Sequence, residues 1–101
     1  MGKGKGRHPR FLGKKLRAIR DRLGLSQNGM LRQLGLDDEF TQAELSAYER
    51  GVRQPPFHVL LEFSKTARVW VNVLIDDELS LPPELPSKIM HEGISRKRTR
   101  K

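Results

Sequence analysis

The sequence predicts an all-α fold of five helices, and three observations predict it. Apolar residues from Phe11 to Leu23 recur at steps of one, four, three and four, the period of one helix face. Two helix-start signals, Ser26 before Gln27-Asn28 and Thr41 before Gln42-Ala43-Glu44, each open a short apolar-patterned segment. Gly24, Gly35 and Gly51 close successive segments, as glycine does where a helix ends in a left-handed residue. No stretch reads as a convincing strand, although Val69-Trp70-Val71 by itself could pass for a very short one.

Phe11, Leu12, Leu16, Ile19 and Leu23 make the apolar face of the first helix, with Lys14, Lys15, Arg17 and Arg22 largely on the other. Ser26 caps the second helix, whose core face is Met30, Leu31 and Leu34. Asp37-Asp38-Glu39-Phe40 is an acidic loop. Thr41 and Glu44 then form a capping box, so the third helix starts there, with Leu45 and Tyr48 facing inward. Val52 to Pro56 is a stiff linker, because the residue before a proline avoids the helical region. A fourth helix runs from about Phe57 to Ala67, with Leu60, Leu61 and Phe63 as its core. Arg68 to Val71 lead into a last short helix, Asn72 to Asp77, whose apolar residues are Val73, Leu74 and Ile75. Leu81 to Pro86 is an extended, proline-rich exit. The chain therefore divides into a basic arm, residues 1–10, a helical domain, residues 11–81, and a proline-containing basic tail, residues 82–101, with both ends expected to be disordered.

A chain of 101 residues supports one domain with a single modest core. It has no Cys, which excludes disulfides and thiolate metal sites and fits a reducing cytosol. No apolar run approaches the roughly 18 to 20 residues that span a bilayer. The basic start is followed by no apolar stretch of a secretory signal, so a cytoplasmic location is expected. The net charge of +8 is uneven. Residues 1–10 carry +4 through Lys3, Lys5, Arg7 and Arg10, residues 82–101 carry another +4, and ten acids balance ten bases between them. Two basic ends on a neutral middle read either as arms that seek nucleic-acid phosphates or as solubilising tails.

Residues 23–51 lay out a helix, a turn and a second helix, the arrangement that presents one helix to the DNA major groove. Leu16, Ile19 and Arg20, then Gly24-Leu25-Ser26-Gln27 and Leu34-Gly35, precede Leu45-Ser46-Ala47-Tyr48-Glu49-Arg50-Gly51 and Pro55-Pro56. From about Leu12 to Leu74 this pattern resembles the phage-repressor type of helix-turn-helix domain, the Xre family of small transcriptional regulators. The resemblance implies a five-helix domain that binds operator DNA, usually as a homodimer, and it implies a structural ion pair between Arg20 and Glu49. Three features depart from the family: about four extra residues around Asp37 to Phe40, Leu31 in place of a small residue, and Arg68 in place of a glycine.

The candidate site follows from chemistry as well. Gln27 and Asn28 open the second helix, where free N–H groups and partial positive charge suit a phosphate oxygen. The less favoured alternative is that Gln27 is merely a solvated first-turn residue. On the third helix Gln42, Ala43, Ser46 and Ala47 are expected to face the bases. Gln42 can bond the N6 and N7 of an adenine together, Ala43 and Ala47 offer methyl contact, and Ser46 lets the helix approach. Arg50 and Arg53 are expected to clamp the phosphate backbone, joined by Lys3, Lys5 and Arg7 of the arm. Glu44 is assigned to the capping box rather than to DNA. Leu74, Ile75 and Leu79, with Val71 and Trp70, either form a two-fold contact or, through Trp70 and Leu74, close the core. Ser26 and Thr41 are caps rather than nucleophiles, and His8, His58 and His91 are scattered, so no catalytic or metal set is expected. Neither a cofactor nor a small-molecule ligand is expected.

The expected function is sequence-specific binding of double-stranded DNA by a transcriptional regulator, a repressor that inserts residues 41–50 into the major groove. At this length no separate ligand-sensing domain is expected, so control would fall to concentration, a partner protein or turnover. An antitoxin with the same DNA-binding domain is a close variant, its tail binding a toxin. A structural RNA-binding protein is the rival from another class, although sequence-reading RNA binders more often expose aromatic rings. Deleting residues 1–9 is expected to flatten the dependence of log K on log salt, by about 0.9 for each phosphate that the arm neutralises. Equal slope and equal affinity in the shortened chain would rule the arm out as a phosphate ligand.

Overall fold

In the computed structural model, which describes residues 9–95, the first apolar stripe becomes helix α1 (Leu12–Arg22), with Leu12, Leu16 and Ile19 buried. Gly24 takes φ 71°, and the N–H groups of Gly24 and Leu25 return to Asp21 O (3.0 Å) and Arg20 O (3.2 Å). Those two bonds satisfy carbonyls that the helix end leaves open. Helix α2 (Gln27–Leu34) begins with Ser26 Oγ accepting from the N–H of Gly29 at 2.9 Å. At α3 (Gln42–Glu49) both halves of the capping box are made. Thr41 Oγ1 accepts from the Glu44 N–H at 3.2 Å, and Glu44 Oε1 accepts from the Thr41 N–H at 2.9 Å. Helices α4 (Phe57–Ala67) and α5 (Val71–Ile75) follow, then two-residue strands β1 (Leu79–Ser80) and β2 (Ile94–Ser95), which pair antiparallel.

The fold is therefore five helices with a very small sheet, and all five helices contribute to the core. Phe63, Leu16, Ile19, Met30, Leu45, Val73 and Leu74 are fully buried. Leu74 closes the core, whereas Trp70 stays 53% exposed. On α4 the inward positions are Val59, Leu60, Phe63 and Ala67, and Leu61 is exposed, contrary to its expected place in the core. Among the described residues no helix is long and apolar enough to cross a membrane.

Spacing alone puts Lys15 on the solvent face, yet it is buried. Its Nζ donates to Val73 O at 2.7 Å and Asp76 O at 3.0 Å, carbonyls at the open end of α5. Asp77 reciprocates, accepting from the N–H groups of Arg10 (2.9 Å) and Phe11 (3.2 Å) at the start of α1. Burial pushes the Asp77 carboxyl up, but those two bonds and the charges of Lys15 and Arg10 outweigh it and hold the group below its ordinary value. These bonds explain why α5 stops at Ile75 rather than continuing to Asp77: Asp76 and Asp77 are the joint between the two helices.

The segment from Pro82 to Ser95, expected to be part of a disordered tail, instead lies against the helices. Pro82 and Ser87 are buried. The Ser87 N–H donates to Ala67 O at 3.0 Å, the His91 N–H to Arg68 O at 3.0 Å, and the Trp70 N–H to His91 O at 3.0 Å. Arg22 Nη1 adds a bond to Pro82 O at 2.7 Å. The physical reason is the end of α4, whose carbonyls have no intrahelical partner and take donors from this segment. Arg68 sits there at φ 60°, a conformation that costs a side-chain-bearing residue about 1–2 kcal/mol. Its Nη2 bond to Lys88 O (3.1 Å) and its carbonyl bond to His91 offset that strain.

Gly13 decides how closely α1 crosses the end of α3. A Cβ there would lie 2.5 Å from Glu49 O and 2.8 Å from Tyr48 O. In an open helix Gly→Ala gains up to about 1 kcal/mol. Here Gly13→Ala is expected to destabilise by about 1–3 kcal/mol, because backbone rather than a side chain must move. A denaturant midpoint at or above that of the wild type would show that the two helices separate without penalty.

Candidate nucleic-acid interface

The interface is built around a buried carboxylate. Glu49, at the last turn of α3, accepts from Arg20 Nε at 2.7 Å and from Arg20 Nη2 at 3.0 Å, a two-pronged pair. The Glu49 side chain is 3% exposed and that of Arg20 13%. Donation to the Glu49 carboxylate holds the guanidinium above its ordinary value, against the opposing effect of burial. Arg20 Nη1 also donates to Leu25 O at 3.0 Å, so one guanidinium ties α1, the turn after it, and α3 together.

From Glu49 the bonding continues outward to the surface. Gln27 Nε2, at the start of α2, donates to Glu49 Oε1 at 3.0 Å. Gln27 Oε1 in turn accepts from Gln42 Nε2 at 3.2 Å, and Asn28 Nδ2 makes a long contact to Gln42 Oε1 at 3.5 Å. The amides at the first turns of α2 and α3 are thus held side by side. Sequence reasoning offers Gln27 as a phosphate donor and misses its link to Glu49, which joins residues distant along the chain. Gln42 keeps a second N–H and a second carbonyl lone pair, so its orientation is set without exhausting its capacity for a base edge.

Gln42 and Ala43 are exposed and Ser46 is half-buried, on the solvent side of α3. Ala47 is not with them. It is 7% exposed, because α3 buries three consecutive residues, Ala47, Tyr48 and Glu49, where it meets α1 and α2. That burial speaks against the base contact expected from Ala47. Arg50 and Arg53 are exposed beyond the helix, and Arg50 Nε donates to Ser46 Oγ at 3.2 Å. Lys3, Lys5 and Arg7 lie outside the described residues.

The lengthened acidic loop does not cover this face. Glu39 pairs with His58 Nε2 at 2.7 Å, and the Phe40 ring lies 5.6 Å from that of His58 and 6.0 Å, edge-on, from that of Tyr48. The extra residues are thereby drawn toward the first turn of α4.

The cost of breaking the centre follows from its burial. Glu49→Ala strands the Arg20 guanidinium and is expected to destabilise the domain by about 3–5 kcal/mol. At about 4–8 °C per kcal/mol for a domain of this size, the melting temperature should fall by more than about 10 °C. An unchanged melting temperature would refute a structural role for the pair.

No curated protein and no solved structure matches this chain. The helix-turn-helix domain family matches it over residues 12–69, more than half its length and within the stretch that resembles the Xre-type regulators. On that match and the capped helix pair it covers, the chain belongs to the helix-turn-helix domain family, a family of DNA-binding regulators.

Proposed function

We propose that this protein is a sequence-specific transcriptional repressor that inserts α3 into the major groove of an operator. The observation that carries the reading is the placement of Gln42, Ala43 and Ser46 on an exposed, doubly capped helix, beside Gln27 and Asn28 at the start of α2. A helix N-terminus with amide side chains suits a phosphate, and the neighbouring Gln42 suits an adenine edge. Arg50 and Arg53 then meet the backbone beyond α3. Binding as a homodimer is part of the reading. Phe57 and Leu61 of α4, with Val71 and Ile75 of α5, line an apolar groove of about 740 Å³ that a second copy would cover. Two-fold symmetry requires half-sites about one helical turn apart.

Selection from a random duplex library tests the reading, repeated with Gln42→Ala. A two-fold motif is expected, and the substitution should relax one position per half-site, where a bidentate contact is worth about 1–3 kcal/mol. Enrichment of no motif, or an identical motif in both proteins, overturns the assignment of Gln42 and α3 to base reading.

A further inference from the structure

Lys14 and Arg17 belong to the solvent face of α1, where sequence spacing makes them ordinary solvated charges. The fold gathers them instead. The close crossing of α1 over the end of α3 opens a trough of about 570 Å³ between the two helices. Gly13 and Gly51 line it without side chains, and Arg10, Lys14, Arg17 and Arg50 surround them. Among the described residues Glu49 is the one acid that lines it, and its carboxylate is buried and already bonded to Arg20 and Gln27. Asp77 takes the N–H groups of Arg10 and Phe11 but does not line the trough. Asp21 lies 3.6 Å from Arg17 Nε, with both side chains more than half exposed, so this pair holds Arg17 only weakly. Four cations around one concavity repel one another, and an anion lodged among them relieves that repulsion.

We infer that this trough is a second phosphate seat, which takes a phosphodiester of the DNA backbone flanking the groove that α3 occupies. The inference rests on the DNA-binding reading above. Two observations favour backbone phosphate over another anion. Arg50 belongs both to the trough and to the outer row of α3: Gln42, Ser46 and Arg50 follow at intervals of four, and Arg50 Nε is bonded to Ser46 Oγ. Pro9 also lines the trough, so the basic residues Lys3, Lys5 and Arg7 precede it directly in the sequence. The reading face, the trough and the point where the arm joins the domain are therefore contiguous.

The test compares salt dependence of binding to a short duplex of random sequence, measured by fluorescence anisotropy. The variants are the wild type, Lys14→Ala with Arg17→Ala, and a control double, Lys65→Ala with Lys88→Ala. The control removes the same charge from exposed positions that line no part of the trough. In the trough double the slope of log K on log salt should fall by about 0.9 if the two cations share a phosphate, and by about twice that if each takes its own. The control should keep the wild-type slope. Should the alanine double melt lower, Lys14→Gln with Arg17→Gln is expected to show the same reduction in slope at wild-type stability. A wild-type slope in the trough variants, or an equal reduction in the control, overturns the phosphate seat while leaving the assignment of α3 intact. A wild-type chain with no affinity for any duplex at low salt overturns both.

Discussion

The face formed by the first turns of α2 and α3 is aimed by the buried carboxylate of Glu49. Three N–H donors converge on it, two from Arg20 and one from Gln27, so α1, α2 and α3 are all tied to the same pair of oxygens. A carboxylate this deeply placed stays in the fold only because those donors compensate its lost hydration. The net gain in stability from such a pair is small, since removing two charges from water consumes most of their attraction. Its consequence is geometric. It sets the first turn of α2 against α3 so that Gln27 meets Gln42, and the two amides stand as one unit at the mouth of the site.

Local physics is what the sequence makes legible. Ser26 and Thr41 mark the starts of α2 and α3 to the residue, because a cap and the N–H it serves lie three positions apart and carry their own residue types. The bounds of α4 emerge as well, since its proline-rich entry and its apolar period are both local. What stays hidden is settled by partners far along the chain. Lys15 reads as one more basic residue until α5 offers it two carbonyls, 58 and 61 positions away. The need for Gly13 appears only in the fold, where the α3 carbonyls leave no room for a Cβ. Ala47 is a subtler case: alanine suits either face, and in a helix of eight residues the apolar period is too short to choose. The segment after Pro82 has a composition that suits an extended chain, and composition does not reveal which carbonyls its N–H groups will meet.

Formal neutrality of residues 11–81 conceals an uneven use of the charges. Four of the ten acids have partners that shape the fold: Glu49 in the core, Glu44 in the cap of α3, Asp77 at the start of α1 and Glu39 on His58; Asp21 adds a weak surface pair with Arg17. Of the bases, Arg20 and Lys15 are committed inward, while Lys14, Arg50 and Arg53 remain at the surface. Those five acids are thus given partners within the fold, while Asp37 and Asp38 stay exposed ahead of α3.

The burial of Ala47 narrows what α3 alone can do. On the proposed reading one amide, one methyl and one hydroxyl remain to face the bases: Gln42, Ala43 and Ser46. A good bidentate contact discriminates by about 1–3 kcal/mol, whereas specific sites are typically bound about 4–10 kcal/mol more tightly than random sequence. One copy of this surface falls short of that range. Doubling it across a two-fold axis brings the sum into reach, and sequence-dependent deformation of the duplex supplies discrimination at positions no side chain touches. Phosphate contacts on both sides of α3 are what would hold the duplex in such a deformed shape. A reading helix this sparse therefore fits a protein whose affinity comes from its cationic frame and whose selectivity comes from symmetry and DNA shape.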